Sequence, residues 1–302
     1  MHKSVLLNEC IEYLNLKDNS IIVDCTLGYG GHSSEILKKI PNGHLYSFDQ
    51  DNEAISYSEK RLHKISNNYT IIKSNFVNIK EELDKYSIRS VDGILYDLGV
   101  SSPQLDEDYR GFSFHKDSRL DMRMNQEQEL SAYEVVNNYT EEKLTEILYK
   151  YGEEKFAKKI SKAIVNNRPI NTTLELVNII KDVVPMKYKK EHHPARKTFQ
   201  AIRIEVNNEL GVFENSLKDA LNLLKVGGRI CVITFHSLED KKCKEIFKSV
   251  STLSEELKNL PIIPKEFDVK YKVIKVISPS ISEISENNRA RSAKLRIIER
   301  IG

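Results

Sequence analysis

The sequence has only four cysteines in 302 residues: Cys10, Cys25, Cys231 and Cys243. No two form a CxxC pair, and two lie in apolar runs. This excludes a disulfide framework and a cysteine metal site, and it points to buried thiols in a reducing cytoplasm. Long apolar runs are also missing. None approaches the roughly 18 residues that a membrane span needs, so no membrane partner is expected. The N-terminal stretch MHKSVLLNECIEYL carries acids among its apolar residues and does not read as a signal peptide. Internal repeats and low-complexity tracts are absent. A large net charge is lacking too, at +2, so charge alone does not mark a nucleic-acid binder.

What is present is uneven. Lys187, Lys189, Lys190, Arg196, Lys197 and Arg203 crowd the stretch from Met186 to Arg203 against one acid, Glu191. Arg289, Arg291, Lys294, Arg296 and Arg300 crowd Ser285 to Arg300 against Glu286 and Glu299. Two basic runs in one chain suit either solvated faces or phosphate contacts. The apolar content of 40% and charged content of 30% fit a globular chain near the length at which one core gives way to two domains.

Short apolar runs alternate with amphipathic stretches. Strands are expected at Ser20–Cys25, His44–Asp49, Thr70–Lys73 and Val91–Leu98, with helices at Ser33–Lys39, Asn52–Ile65 and Val77–Tyr86 between them. That rhythm predicts βαβ units and a mostly parallel sheet. It stops after Leu98. No strand is predicted from about Asp106 to Leu210, where Ser131 with Glu134 and Thr172 with Glu175 have the form of capping boxes and Thr140 that of a further N-cap. It resumes with a helix over Glu209–Leu224, a strand over Arg229–Phe235 after Val226-Gly227-Gly228, and a helix over Glu239–Val250. Strands near Tyr271–Ile277 and Lys294–Ile301 end the chain. The reading is an α/β domain, 1–105 with 211–302, interrupted by a helical insert at 106–210.

The chain holds only 12 glycines, yet Gly28, Gly30 and Gly31 cluster inside IIVDCTLGYGGHSSEIL, from Ile21 to Leu37. A glycine turn between a strand and a helix lets a ligand approach the backbone. Asp49 ends the second strand, where an acid can accept hydrogen bonds from ribose hydroxyls. Nicotinamide and S-adenosylmethionine cofactors both fit that pair. Ser33 stands where the dinucleotide fingerprint wants glycine or alanine. Asp24 would repel a pyrophosphate but tolerates a cationic sulfonium-methionine and can bind its amino group. Phe76 can lie on adenine or serve the core. Together these favour S-adenosylmethionine. Asp97 ends the fourth strand and is expected to face the same crevice as Asp24.

The segments CTLGYGGHS, DLGVSSPQLD, RGFSF, LDMRM, YGEEKFAKKI, TFQAIRIEVNNEL, GGRICVITFHSLED and RARSAKLR, in this order along nearly the whole chain, resemble the bacterial 16S ribosomal RNA cytosine-N4 methyltransferases, the RsmH/MraW family. The resemblance implies a Rossmann-like class I methyltransferase fold with a helical insert. It implies methyl transfer from S-adenosylmethionine to N4 of a cytosine in the decoding centre of small-subunit rRNA. It places cofactor contacts at Gly30, Gly31, His32, Asp49, Phe76, Asp97 and Gln104. Asn288, where the family pattern expects proline, is a departure in the C-terminal turn.

Cytosine N4 is a poor nucleophile because its lone pair is delocalised into the ring. An acceptor that pulls on its N–H restores lone-pair character. Asp97, or a backbone carbonyl of the Gly99–Pro103 turn, could do so. A sulfonium methyl is already activated, so no metal is expected. His192 and His193 lack ligands of matching spacing and are expected to face RNA. His236 is either a lip residue near the substrate or a core histidine. Phe112 and Phe114, with Arg119 and Arg123, either stack on RNA or pack the insert. Arg196, Lys197, Arg203, Arg289 and Arg291 are the candidate RNA contacts, with 16S rRNA or the small subunit as partner and no obligate protein partner evident. Rival readings are an amino methyltransferase on another nucleic acid, a non-catalytic S-adenosylmethionine-binding assembly factor, and a nicotinamide oxidoreductase.

Overall fold

The computed structural model describes residues 4–100, 107–191, 193–253 and 268–302. They form two compact units: Met1–Gly99 with Leu210–Gly302, and Val100–Glu209. The insert thus begins at the turn after the fourth strand, ahead of the sequence boundary at Asp106.

The first unit contains helix α1 (Leu7–Tyr13), strand β1 (Ile21–Asp24), α2 (Gly31–Lys39), β2 (His44–Asp49), α3 (Asn52–Leu62), β3 (Tyr69–Lys73), α4 (Ile79–Lys85) and β4 (Val91–Asp97). Its strands make one seven-stranded sheet with β5 (Leu224–Thr234), β6 (Tyr271–Ile277) and β7 (Lys294–Arg300), in the order β3-β2-β1-β4-β5-β7-β6. The first five pair in parallel, whereas β7 runs antiparallel to both β5 and β6. This is a Rossmann-like, mostly parallel sheet with an antiparallel strand near one edge.

The sheet is buried on both faces, which explains the near-continuous apolar runs. Successive side chains alternate between faces. Val23, Ile94, Tyr96, Ile230 and Val232 belong to one apolar core. Ile22, Leu95, Cys231 and Ile233 belong to the other. All four cysteines are free and buried, and burial pushes the Cys231 thiol up to about 12. These thiols serve as small apolar side chains.

One sequence expectation shifts, and one element is new. Gly227 and Gly228 do not precede the fifth strand; they form an irregularity inside it, with Val91 opposite Leu224 and Gly93 opposite Arg229. Gly227 has φ 82° and nothing near its absent Cβ, so the strand bulges there without ending. Helix α1, which no periodicity announced, starts after Leu6 in the left-handed region at φ 51°.

The insert holds α5 (Ala132–Asn138), α6 (Glu141–Gly152), α7 (Ala157–Asn166), α8 (Thr173–Val183), α9 (Met186–Glu191) and α10 (Arg196–Asn207). Ser131 and Thr172 close capping boxes with Glu134 and Glu175, and Thr140 accepts from the Lys143 amide. Each such cap is worth about 1 kcal/mol. The insert's apolar stripes enclose their own core, including Leu144, Ile160, Ile180 and Ile202. Helix α11 (Glu209–Leu223) leads back to the sheet, and α12 (Ser237–Ser251) follows β5. A short helix, α13 (Ile281–Glu286), precedes β7. Among the described residues no helix is long and apolar enough to cross a membrane.

Candidate active site

Three acids end neighbouring parallel strands on one edge of the sheet. Asp24 closes β1, Asp49 closes β2 and Asp97 closes β4. Parallel pairing places their carboxyl ends together. The glycine loop crosses this edge. Gly28 and Gly30 have φ values of 48° and 69°, which side-chain-bearing residues adopt only with strain. The loop is held from several sides. The Gly28 amide donates to Asp49 Oδ2 at 2.8 Å, the Ser58 hydroxyl to the Gly28 carbonyl at 2.7 Å, and Arg61 Nη1 to the Tyr29 carbonyl at 3.1 Å. Helix α2 follows with no side-chain cap on its first turn, leaving amide donors for a ligand.

Asp49 does two jobs. It braces the loop through Gly28, and its other oxygen accepts from the Asp51 amide at 2.9 Å. Burial pushes its carboxyl up to about 6, against the lowering effect of these amides. A carboxylate offers about four acceptor positions, so capacity for ribose hydroxyls remains.

Asp24 is 1% exposed. One oxygen accepts from the Thr26 amide at 3.0 Å and the other from Ser33 Oγ at 2.7 Å. The structure places it under the loop as a brace. Ser33, read from sequence only as a missing glycine, is the donor that satisfies this buried acid. Ser33→Ala should therefore lower stability by about 1–3 kcal/mol through an unsatisfied buried acceptor, measured by urea unfolding at neutral pH.

The amide of Asp97 donates to Thr26 Oγ1 at 2.7 Å, which ties the end of β4 to the loop after β1. Its side chain is 25% exposed, and Oδ1 is buried without a hydrogen-bond partner among the described residues. Oδ2 lies 3.5 Å from His32 Nδ1. His32 Nε2 stands 3.1 Å from the Val5 carbonyl. A carbonyl can only accept, so Nε2 carries a proton. Attraction between Nδ1 and Asp97 then requires one further proton on one of them. Burial raises the Asp97 carboxyl to about 6; His32 opposes this, and Asp24 and Glu239 reinforce it. Oδ1 is thus a buried acceptor that no donor among the described residues meets.

Phe76 is half-buried after β3. Its carbonyl accepts from Ser216 Oγ at 2.8 Å and its ring packs perpendicular to that of Tyr96 at 5.6 Å, which holds the residue in place. His236 follows β5 with 11% of its side chain exposed. It is the N-cap of α12, in a capping box with Glu239. Gln104 and the other residues from 101 to 106 lie outside the described residues.

The loop's donors, an acid at the end of β2, a half-buried aromatic after β3 and the buried acceptor at Asp97 are groups that could hold S-adenosylmethionine. A family model described as the MraW methylase family matches residues 1–301. The chain belongs to this family. Its cofactor is S-adenosylmethionine, the ligand that Asp24, Ser33 and Phe76 favour over nicotinamide in the sequence. Relatives agree over their full length. A protein of Exiguobacterium sibiricum named ribosomal RNA small subunit methyltransferase H is 54% identical over 306 residues, covering 99% of this chain and 98% of that one. A protein of the same name from Mesoplasma florum is 55% identical, covering 99% of each chain. One from Limosilactobacillus fermentum is 51% identical, covering 99% and 98%.

The candidate RNA contacts divide. Arg196 is exposed at the start of α10 and Lys197 follows it. Arg203 is placed differently. Its guanidinium forms a two-pronged pair with Glu209, both contacts at 2.8 Å, with only 18% of its side chain exposed. Such a paired, half-buried arginine is structural. Arg291 is exposed and Arg289 half-buried in a single turn of 3-10 helix over Asn288–Ser292. Phe112 packs in the insert core and Phe114 against it, and Arg123 is paired with Asp121 at 2.7 Å. Phe114 also stacks on His193 with centroids 4.4 Å apart.

Proposed function

We propose that this methylase transfers the methyl group of S-adenosylmethionine to the N4 amino group of a cytosine in the decoding centre of 16S rRNA in the small ribosomal subunit. The observation that carries the reading is Asp97: a carboxyl group at the end of β4 with one buried oxygen that no donor among the described residues meets. An exocyclic amino group supplies that donor. Bound S-adenosylmethionine supplies a methyl group already activated on a sulfonium. The chain supplies the rest. Gly28, Gly30 and Gly31 shape the cofactor loop, Asp49 accepts from ribose, Phe76 flanks the adenine, and Asp97 orients N4 and accepts its proton. His32, held by the Val5 carbonyl, fixes the position of that carboxylate. The relatives' name, ribosomal RNA small subunit methyltransferase H, supports the RNA class.

The test is transfer of labelled methyl from S-adenosylmethionine to unmodified 30S subunits, naked 16S rRNA and DNA, followed by nucleoside analysis. Label in N4-methylcytidine from one rRNA position is the expected result. Label on a ring carbon, on ribose or on DNA would overturn it. So would binding of S-adenosylmethionine without transfer to any of the three, which is the behaviour of an assembly factor.

A further inference from the structure

The insert carries a cavity of ≈ 380 Å³ that none of the methyl-transfer residues line. Its walls include Lys155 and Phe156 from the turn before α7, Lys187 and Tyr188 from α9, and Arg196 and Lys197 from the first turn of α10. The two rings meet edge-on, centroids 5.2 Å apart and planes at 77°. They are fixed by one buried acid. Glu154 accepts from the Tyr188 hydroxyl at 3.0 Å and from the Phe156 amide at 2.9 Å. The acid is thus occupied inside the wall, and burial beside it keeps the Tyr188 hydroxyl protonated, pushed up to about 12.

The cations are differently placed. Lys197 Nζ donates to the Glu153 carbonyl at 2.8 Å. Lys155, Lys187 and Arg196 are exposed and pair with no carboxylate among the described residues. Helix α10, which starts at Arg196, has no side-chain cap, so its first amides add partial positive charge at the same wall. A simple anion would need no rings, and an apolar ligand would need no unpaired cations. A nucleotide uses both, with a flat base for the aromatic pair and phosphates for the cations and the helix start.

We propose that this cavity holds one unpaired nucleotide of the substrate RNA. Its base lies against Phe156 and Tyr188, and its flanking phosphates lie at Lys155, Lys187 and Arg196. The RNA identity of the ligand rests on the function proposed above; the base-and-phosphate chemistry rests on the cavity alone. The site anchors a strand at a nucleotide that is not the one methylated.

The test uses the full chain and fluorescence anisotropy with three probes: a single-stranded hexaribonucleotide, a 12-base-pair RNA duplex and a polyglutamate peptide. The single strand should bind at least about fivefold more tightly than the duplex, since stacking needs a free base face. Lys187→Glu with Arg196→Glu should weaken single-strand binding about tenfold and flatten its salt dependence. Phe156→Leu should weaken it about fivefold or more with the salt slope unchanged. Thermal unfolding of each variant shows whether the fold survives, and the exposed double variant keeps the test decisive if Phe156→Leu does not. Equal binding of the duplex, or polyglutamate competing as well as RNA, would overturn the proposal, as would a folded double variant of unchanged affinity. Methyl transfer is scored separately. Normal transfer without single-strand preference removes the cavity alone, and the binding pattern without transfer removes the function alone.

Discussion

Asp97→Asn should slow methyl transfer in single turnovers by about 10²–10⁴, the usual range for a positioned acid–base group. The substitution keeps the shape at the end of β4 and the hydrogen bond that the backbone amide donates to Thr26 Oγ1, but it removes the charge from a carboxyl whose buried Oδ1 meets no donor among the described residues. The wild-type rate should rise with pH through about 6, where the Asp97 carboxyl ionises, and level off above it. The variant should lack that limb. Cofactor affinity is measured in parallel by calorimetry, and saturating S-adenosylmethionine isolates the chemical step. A near-wild-type rate would remove Asp97 as the acceptor and leave the backbone carbonyls of the following turn.

The same variant carries a stability signature of opposite sign. A carboxyl raised from 3.8 to about 6 in the folded state makes folding most favourable below its unfolded value. That contribution is lost as pH rises from about 4 through 6. By linkage the loss is at most about 3 kcal/mol for a shift of roughly two units. Asparagine never ionises, so Asp97→Asn should raise Tm at pH 7.5 and leave it unchanged near pH 4. An inactive but more stable protein is what a residue held in an unfavourable charge state for chemistry would give. A variant destabilised at pH 7.5 would show that the carboxylate is a structural group.

The sheet was legible because β1, β2 and β4 are buried on both faces, so their sequences are short apolar runs between loops. The three acids were legible because each terminates such a run. Helix starts in the insert were legible because Ser131, Thr140 and Thr172 satisfy first-turn amides locally. What escaped involved partners distant in sequence. Nothing near Ser33 announces that it caps Asp24, nine positions away. Nothing near His32 shows that the Val5 carbonyl fixes its Nε2 proton. Arg203 looked like a phosphate ligand because charge is visible in sequence and pairing with Glu209 is not. The cavity in the insert draws on three separate turns and shows in sequence only as scattered lysines and aromatics.

Asp49→Ala should weaken S-adenosylmethionine by about 1.5–3 kcal/mol, or roughly 10–150-fold, through loss of hydrogen bonds to a charged acceptor. Two losses combine. The ribose hydroxyls lose their acceptor, and the Gly28 amide loses the 2.8 Å bond that sets the loop at φ 48°. The second loss frees a strained turn, so the variant should bind more slowly as well as more weakly. Asp49→Asn separates the two. Its amide oxygen can still accept from Gly28, so the loop should stay formed while the charge at the ribose is gone, and its affinity should fall between wild type and Asp49→Ala. pH gives an internal check. The Asp49 carboxyl titrates at about 6, so wild-type affinity should fall as pH drops from 7.5 to 5, and both variants should be flat. Calorimetry at four pH values measures this. Equal pH dependence in wild type and Asp49→Asn would place the titrating group elsewhere in the crevice, with Asp97 the next candidate.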